Sequence, residues 1–277
     1  MPETQPIVSP EWLAENLDNP GVRVVDCRFA LGDPELGRQQ YLESHIPGAV
    51  YLDLERDLSS PVEKHGGRHP LPDIDELAGK LSNLGIEFGE TLVVAYDDSR
   101  FGFAGRLWWL LRYMGHDRVA LLDGGFGGWK AAGYPVTADI SSPEPAQFEP
   151  QLRSDWVVDF EDVKTRKDRP GVVLIDSRDR DRYSGEREPI DPIAGHIPGA
   201  VNLPWRDVSD AGGFLKFAEQ PGRWENYKDA EEIVVYCGSG VTACINLLTL
   251  ELAGLSQGKL YPGSWSDWCS YQLDPED

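Results

Sequence analysis

A six-residue run, His-Ile-Pro-Gly-Ala-Val, occurs twice in this 277-residue chain, at residues 45–50 and at residues 196–201, an offset of 151 (196 − 45). Self-similarity at a fixed offset indicates two copies of one structural unit. Three other landmarks repeat in the same order, which pairs residues 24–28 with 174–178, residues 93–97 with 233–237, and residues 122–129 with 261–268. The chain is therefore predicted to fold as two similar domains.

The length and composition agree with two domains. A chain of 277 residues exceeds the usual size of one domain, and 40% hydrophobic residues supply enough apolar side chains for two cores. Residues 137–149 are rich in Ser and Pro and show no helical or strand period, which is typical of a linker. We therefore place a first domain at residues 1–144 and a second at residues 145–277.

Each half of the chain alternates predicted strands with predicted helices. Strands are expected at residues 22–26 and 91–96, and helices are expected after the N-cap residues Ser9 and Asp73 and over residues 104–114. Such alternation calls for a central parallel sheet flanked by helices on both faces. The predicted fold class is therefore α/β in both domains.

The charge balance excludes two classes of partner. The chain has 26 Lys and Arg against 47 Asp and Glu, a formal net charge of -21, and a field of this sign repels phosphate backbones and anionic membrane surfaces. The first residues lack a basic region followed by an apolar run, and no stretch approaches about 18 uninterrupted apolar residues. We expect a cytoplasmic protein that binds neither nucleic acid nor a membrane.

The chain has four cysteines, and their number and spacing predict neither a disulfide framework nor a metal site. They are few and scattered, and none has the spacing of zinc ligands, so we expect reduced thiols and no metal. A lone cysteine is most often a small buried hydrophobe. This is the interpretation for Cys27, Cys244 and Cys269.

Cys237 differs from the other three because it lies between an apolar strand and a helical run. Its loop reads Cys-Gly-Ser-Gly-Val-Thr, and open α/β sheets bind ligands at the carboxyl ends of their strands. The glycines allow a tight loop with inward N–H groups, and the helix N-terminus adds partial positive charge, so a thiolate is stabilised. The equivalent position in the first repeat is Asp97. Only the second domain is therefore predicted to be catalytic.

With these landmarks, the chain resembles the tandem rhodanese-like sulfurtransferases over nearly all of its length. The paired His-Ile-Pro-Gly-Ala segments, the six-residue cysteine loop and the Trp265-x-x-Trp268 ending carry the resemblance. It implies two rhodanese-like domains, the first inactive, and a cysteine that passes sulfane sulfur from a donor to a thiol or cyanide. The loop is similar to those of 3-mercaptopyruvate sulfurtransferases, which implies that donor, a thiol acceptor such as thioredoxin, and no metal or organic cofactor.

The uncharged loop gives a physical reason for this donor. Thiosulfate is a compact dianion that cations inside the loop would hold, whereas Gly238 and Ser239 bring no charge. The carboxylate of mercaptopyruvate needs a cation from elsewhere, and an arginine-rich run lies just before residue 196. By resemblance, Arg182 matches the first substrate-binding arginine, and Arg187 is the assignment for the second. The alternative for each is a surface arginine paired with neighbouring acids.

The resemblance also implies roles for residues around the cysteine. Ser239 matches a loop serine that is proposed in the family to work with a histidine and an aspartate of the first domain, which here would be His45 and Asp33. The other interpretation is that His45, like its copy His196, pins a turn by hydrogen bonds. The residues expected to contact the donor are those of the loop: Gly238, Gly240, Val241 and Thr242.

Three alternative functions stay open at this point. One is thiosulfate:cyanide sulfurtransferase, which turnover with the two donors would distinguish. Another is a Cys-x5-Arg phosphatase, but Ala243 stands where the phosphate-binding arginine would be. The third is a non-enzymatic sulfur carrier or interaction module, against which the complete loop argues.

Overall fold

The computed structural model describes residues 5–273, and the chain divides into two compact units. The first unit holds the residues up to Ser60 with Pro72–Arg153 and Ser209–Leu215, and the second holds Pro61–Leu71, Ser154–Val208 and the residues from Lys216 onward. Each unit thus includes one short segment from the other half of the chain. The division of the chain at residue 145 stays a prediction.

The first unit alternates strands with helices. Its elements are β1 Ile7–Val8, α1 Pro10–Asn16, β2 Val22–Asp26, α2 Leu36–Glu43, β3 Val50–Tyr51, α3 Ile74–Asn83, β4 Leu92–Tyr96, α4 Ala104–Tyr113, β5 Val119–Leu122 and α5 Gly125–Ala131. The strands form one parallel sheet in the order β1-β5-β4-β2-β3.

The second unit repeats this arrangement with one strand fewer in its sheet. Its main elements are α6 Phe160–Arg166, β6 Val172–Asp176, α7 Arg180–Ser184, β7 Val201–Asn202, α8 Gln220–Trp224, β8 Glu232–Tyr236, α9 Ala243–Leu252, β9 Gly258–Leu260 and α10 Ser264–Leu273. The sheet is parallel, in the order β7-β6-β8-β9. The prediction of a helix-flanked parallel sheet in each half is confirmed.

The sequence repeat corresponds to a buried ion pair at the end of one central strand in each unit. Arg28 Nη2 lies 2.6 Å from Asp26 Oδ2 after β2, and Arg178 Nη2 lies 2.7 Å from Asp176 Oδ2 after β6. Removing one partner of a buried pair leaves an uncompensated charge, at a cost of about 3–5 kcal/mol. The repeated Asp-x-Arg pattern is therefore required by the fold of each unit.

The His-Ile-Pro-Gly-Ala turn is held in the same way in both units. Its isoleucine is fully buried in each copy, and the isoleucine N–H donates to a tyrosine hydroxyl from the neighbouring strand. The distance is 3.3 Å from Ile46 to Tyr96 and 3.1 Å from Ile197 to Tyr236. The repeated segment is thus a packing element next to each sheet.

The predicted helix starts and strands are confirmed. Ser9 Oγ accepts from the N–H of Trp12 at 3.2 Å, and Asp73 Oδ1 accepts from the N–H of Glu76 at 3.0 Å. The strand expected at residues 22–26 has these bounds in the structure, and the strand and helix expected at residues 91–96 and 104–114 each differ by one residue.

The segment predicted to be a linker is part of the first unit and packs within it. Residues 138–149 contain no helix or strand, but Phe148 is buried and its N–H donates to Ser82 Oγ at 3.1 Å. The N–H of Ala146 also donates to the carbonyl of Ser82, at 2.9 Å. Across residues 5–273, the structure contains no helix with the length and hydropathy to span a membrane.

Candidate active site

Cys237 follows the last residue of β8, at the carboxyl end of a central strand, and its side chain is buried. The start of α10 fixes the backbone there. The N–H of Cys237 donates to Ser264 Oγ at 3.1 Å, and the N–H of Trp265 donates to the carbonyl of Cys237 at 3.0 Å. These bonds hold the sulfur atom at the entrance to the loop that precedes α9.

The loop after Cys237 is a tight turn that presents backbone N–H groups. Gly240 has φ +74, and a Cβ there would lie 2.3 Å from the carbonyl oxygen of Pro262, so only glycine allows this path. Among the described residues, no protein acceptor is in hydrogen-bonding position for the amides of Ser239, Val241 and Thr242. Converging amides at a helix N-terminus bind anions. The loop is therefore suited to a thiolate or persulfide.

Asp97 occupies the corresponding position in the first unit, and its carboxylate fills the equivalent loop. Oδ1 accepts from the N–H groups of Ser99 and Phe101 at 2.8 and 3.1 Å, and Oδ2 accepts from those of Phe103 and Ala104 at 2.8 and 2.9 Å. Burial raises the pKa of Asp97, while these N–H groups oppose that rise. In the first unit the anion of the loop is therefore part of the chain itself.

The other three cysteines have the character of structural thiols. All are buried, and burial raises the pKa of Cys27 well above its usual value and that of Cys269 to about 12. Cys244 lies in α9 and its Sγ contacts the carbonyl of Gly240 at 3.4 Å. Protonated thiols are poor nucleophiles, which agrees with the interpretation of Cys27 and Cys269 as core residues.

Ser239 has a histidine partner that the sequence analysis did not identify. Nδ1 of His69 lies 2.7 Å from Ser239 Oγ, and both side chains are buried. His69 belongs to Pro61–Leu71, the segment that the second unit takes from the first half of the chain. Its sequence, His-Gly-Gly-Arg-His at residues 65–69, holds two of the five histidines of the chain, which is the one signal that could have pointed to it.

His45, the histidine chosen from the sequence, has both ring nitrogens against backbone carbonyls. Nδ1 lies 2.6 Å from the oxygen of Tyr41 and Nε2 lies 3.1 Å from that of Asp139. The ring also stacks on Tyr41 at 4.2 Å between centroids. Asp33 lies in an exposed turn. The geometry supports the interpretation that His45 pins its turn, and His69 replaces it as the histidine beside Ser239.

The two arginines chosen from the sequence have different surroundings. Arg182 is 13% exposed, and its Nη1 lies 3.5 Å from the position that a Cβ at Gly238 would take. Arg187 is 56% exposed, and its Nε pairs with Asp181 at 2.6 Å. The geometry therefore supports the surface-pair interpretation for Arg187. The cation beside Arg182 at Gly238 is Arg68, which the sequence analysis missed.

Comparison with known proteins places this site in a family. The family described as the rhodanese-like domain matches residues 9–132 and again residues 159–271. The chain belongs to the rhodanese-like family. The two matches fall on the two copies of the repeat, and they confirm tandem rhodanese-like domains.

Relatives in this family are sulfurtransferases with two kinds of donor in their names. The probable 3-mercaptopyruvate sulfurtransferase of Pseudomonas aeruginosa is 47% identical over 268 residues, covering 95% of this chain and 94% of that protein. The thiosulfate sulfurtransferase of Bos taurus is 36% identical over 276 residues, covering 95% and 91%. Among solved structures, the 3-mercaptopyruvate sulfurtransferase from Leishmania major has a TM-score of 0.85 at 30% identity, covering 99% of this chain and 76% of that one. The predictions of the family and of sulfurtransferase activity are confirmed.

Proposed function

We propose that this chain transfers a sulfane sulfur from 3-mercaptopyruvate to a thiol acceptor through a persulfide on Cys237. The observation that carries the proposal is the position of Cys237 at the carboxyl end of β8. Beside it lie two guanidinium groups and a loop in which three backbone N–H groups have no acceptor among the described residues. The amides stabilise the anionic sulfur, and the guanidinium groups provide partners for a carboxylate.

The chemical step needs no atoms beyond donor and enzyme. The Cys237 thiolate attacks the donor thiol sulfur, so that an S–S bond forms, the C–S bond breaks and its electron pair passes to the pyruvate enolate. The enolate takes up the proton of the donor thiol, which leaves pyruvate and a Cys237 persulfide anion. The pair of Ser239 and His69, 2.7 Å apart, carries this proton. A second thiol then attacks the outer sulfur and restores Cys237.

The acceptor is proposed on chemical grounds. A buried persulfide is discharged by a small or protruding thiol, and a thioredoxin-like protein or a low-molecular-weight thiol meets this requirement. Both are typical of a reducing compartment such as the cytoplasm, which we propose as the location. Cyanide would serve as a substitute acceptor in the test tube.

Thiosulfate is the second candidate donor, because relatives named thiosulfate sulfurtransferase are 35% to 36% identical to this chain. The uncharged loop argues against thiosulfate as the donor, because no residue from Gly238 to Thr242 carries a charge. The two arginines beside the loop are also paired with carboxylates, so the net local charge offers little attraction to a compact dianion.

The test is to charge the purified protein with each donor and weigh it by mass spectrometry. We expect mercaptopyruvate to add one sulfur, mapped to the peptide containing Cys237, and to give the higher kcat/KM of the two donors. Cys237→Ser should abolish charging and turnover while leaving the circular dichroism spectrum unchanged, because a serine hydroxyl forms no persulfide. A sulfur on another cysteine, or full turnover by the serine variant, would contradict the proposal.

A further inference from the structure

An open cavity of about 610 Å³ lies in the second unit, and no residue of the cysteine loop contributes to its described wall. The wall comes from residues that follow β6 and β7 and from the segment that contains α8. It holds three cations and two carboxylates, a net charge of +1 (3 − 2) in a protein of net charge -21. An anion is therefore the favoured occupant. The charged wall residues are Arg180, Lys216 and Arg223 with Asp207 and Glu219.

The excess positive charge is on Arg223. The other two cations each have a carboxylate on the same wall: Arg180 Nη2 lies 2.6 Å from Asp207 Oδ2, and Lys216 Nζ lies 3.7 Å from Glu219 Oε2. Arg223 forms no ion pair with any residue that the structure describes. Two of the three cations are therefore balanced within the chain, and the third is not.

Neutral acceptors hold the Arg223 guanidinium group in place. Its Nη2 donates to the carbonyl of Pro204 and to Asn246 Oδ1, both at 2.9 Å. Nε is buried, and among the described residues neither Nε nor Nη1 has a hydrogen-bond acceptor. Burial lowers the pKa of Arg223, while Asp207 opposes this fall and Arg180 adds to it. A desolvated cation without a counter-ion is costly, so an anion that accepts from Nη1 would stabilise it.

Gln220 adds a second unpaired polar atom to the same wall. This residue is 1% exposed, and its Nε2 donates to the carbonyls of Lys216 and Val208 at 2.9 and 3.3 Å. Its Oε1 has no donor among the described residues. Because Gln220 and Arg223 are three positions apart in α8, they share one face of the helix. The wall therefore offers a cation and, next to it, a hydrogen-bond acceptor.

We propose that this cavity binds a small organic monocarboxylate that carries a hydroxyl group, with the carboxylate on Arg223 and the hydroxyl donating to Gln220 Oε1. One negative charge balances the wall, whereas a dianion would leave a negative charge in a protein whose net charge is already -21. A volume of about 610 Å³ is within the range of about 300–1,000 Å³ that is usual for small-molecule sites. No step of the proposed sulfur transfer uses these residues, so the two proposals are independent.

An NMR titration of the 15N-labelled protein with lactate, at constant ionic strength, tests the site. Backbone amide signals of residues 216–224 should shift and give a single Kd in the millimolar range, the usual scale for so small a ligand. Arg223→Gln should bind lactate at least about tenfold more weakly, because a charge-assisted hydrogen bond is lost. No shift of these signals up to about 100 mM lactate, or equal affinity in the variant, would overturn the proposal.

Two control variants locate the binding. Arg166→Gln removes a cation of the same unit that is paired with Asp162 and Glu232, and its Kd for lactate should equal that of the wild type. Arg182→Ala removes a guanidinium group beside the cysteine loop, and its Kd for lactate should also be unchanged. A loss of affinity in Arg182→Ala together with full affinity in Arg223→Gln would place lactate at the loop and reject the cavity.

Related anions test the chemical class of the ligand. Propionate lacks the hydroxyl group and should bind the wild type at least about threefold more weakly than lactate, whereas Gln220→Met should bind both with the same affinity. Sulfate, a dianion, should bind no more tightly than propionate. Equal binding of lactate and propionate by the wild type would remove Gln220 Oε1 from the site, and tighter binding of sulfate would contradict the monocarboxylate.

A second variant covers the structural role of Arg223, which bonds to Pro204 and Asn246 and whose loss could unfold the protein. Arg223→Lys keeps the positive charge, and its lactate affinity should fall by about threefold or more because the planar guanidinium fork is lost. Circular dichroism and thermal unfolding check that each variant is folded. Unchanged lactate affinity in every folded variant of Arg223 would reject this residue as the carboxylate partner.

Discussion

At the scale of single residues, the repeat makes the contrast between Cys237 and Asp97 informative. Both follow the strand that pairs with the central Asp-x-Arg strand of their unit, and both lead into a loop of backbone amides. Asp97 satisfies four N–H groups with its own carboxylate. Around Cys237 no carboxylate of the described chain fills the loop, and in the proposed mechanism the sulfur takes that place, so the same backbone would serve stability in one unit and sulfur chemistry in the other.

Two histidines give the first prediction at this scale. His69→Asn should lower kcat for mercaptopyruvate by about 10²-fold, since positioned acid–base groups contribute at least this much. The variant should stay folded, with a loss of stability no greater than that of His45→Asn, although the hydrogen bond to Ser239 is altered. His45→Asn should do the reverse: it removes an imidazole whose ring N–H donates to a backbone carbonyl, costing about 1–3 kcal/mol of stability, with kcat almost unaffected.

Steady-state kinetics, which give kcat, and calorimetry, which gives stability, check both predictions on the two variants. A stable His45→Asn protein with a hundredfold lower kcat would return the catalytic role to the histidine chosen from the sequence. A fully active His69→Asn protein would remove His69 from the mechanism.

At the scale of elements, the segment Pro61–Leu71 contributes two side chains to the candidate site. It supplies Arg68 and His69, and it is anchored on α10: the N–H of Gly66 donates to Asp267 Oδ1 at 2.7 Å, and Arg68 donates to Ser266. Without these anchors, the loop around Cys237 would keep its amides but lose a cation and the partner of Ser239.

Gly67→Ala tests whether the position of the segment Pro61–Leu71 is needed for activity. The new methyl group would meet the carbonyl of Gly263 at 2.4 Å, so the segment must move, and we expect kcat/KM to fall about tenfold or more. Gly66→Ala is the control, because Gly66 also has positive φ but its Cβ would meet only Pro70, at 4.0 Å. It should cost about 1–2 kcal/mol of stability and little activity. Equal kinetic losses in both variants would show that backbone strain alone matters.

At the scale of the whole molecule, the net charge of -21 is the dominant physical property. Self-repulsion destabilises a strongly charged compact state, and salt screens it. Raising NaCl from about 20 to 500 mM should therefore stabilise the protein by roughly 1 kcal/mol, an increase in Tm of about 2–4 °C.

Scanning calorimetry across this salt range measures the effect. Sucrose at equal osmolality is the control for non-ionic stabilisation. A Tm that does not change with NaCl would mean that the acidic side chains are already compensated, for example by the many ion pairs on the surface.

The sequence by itself determined the features that local patterns encode. The repeat predicted two similar domains, and the alternation of strands with helices predicted a parallel sheet in each. The Cys-Gly-Ser-Gly-Val-Thr loop singled out Cys237, because a strand, a glycine-rich turn and a helix start are consecutive along the chain. Arg182 also came from a local motif, and it lies beside Gly238 in the structure.

Only the tertiary structure decided which distant residues complete the site. Arg68 and His69 lie about 170 positions before Cys237 in the chain, and a short loop with few apolar residues gives no periodic signal of where it packs. His45 and Arg187 fitted the expected residue types, but their partners are a pair of backbone carbonyls and the Asp181 carboxylate. Residue type and spacing fix what a side chain can do, whereas its partners depend on long-range packing, which the local sequence does not encode.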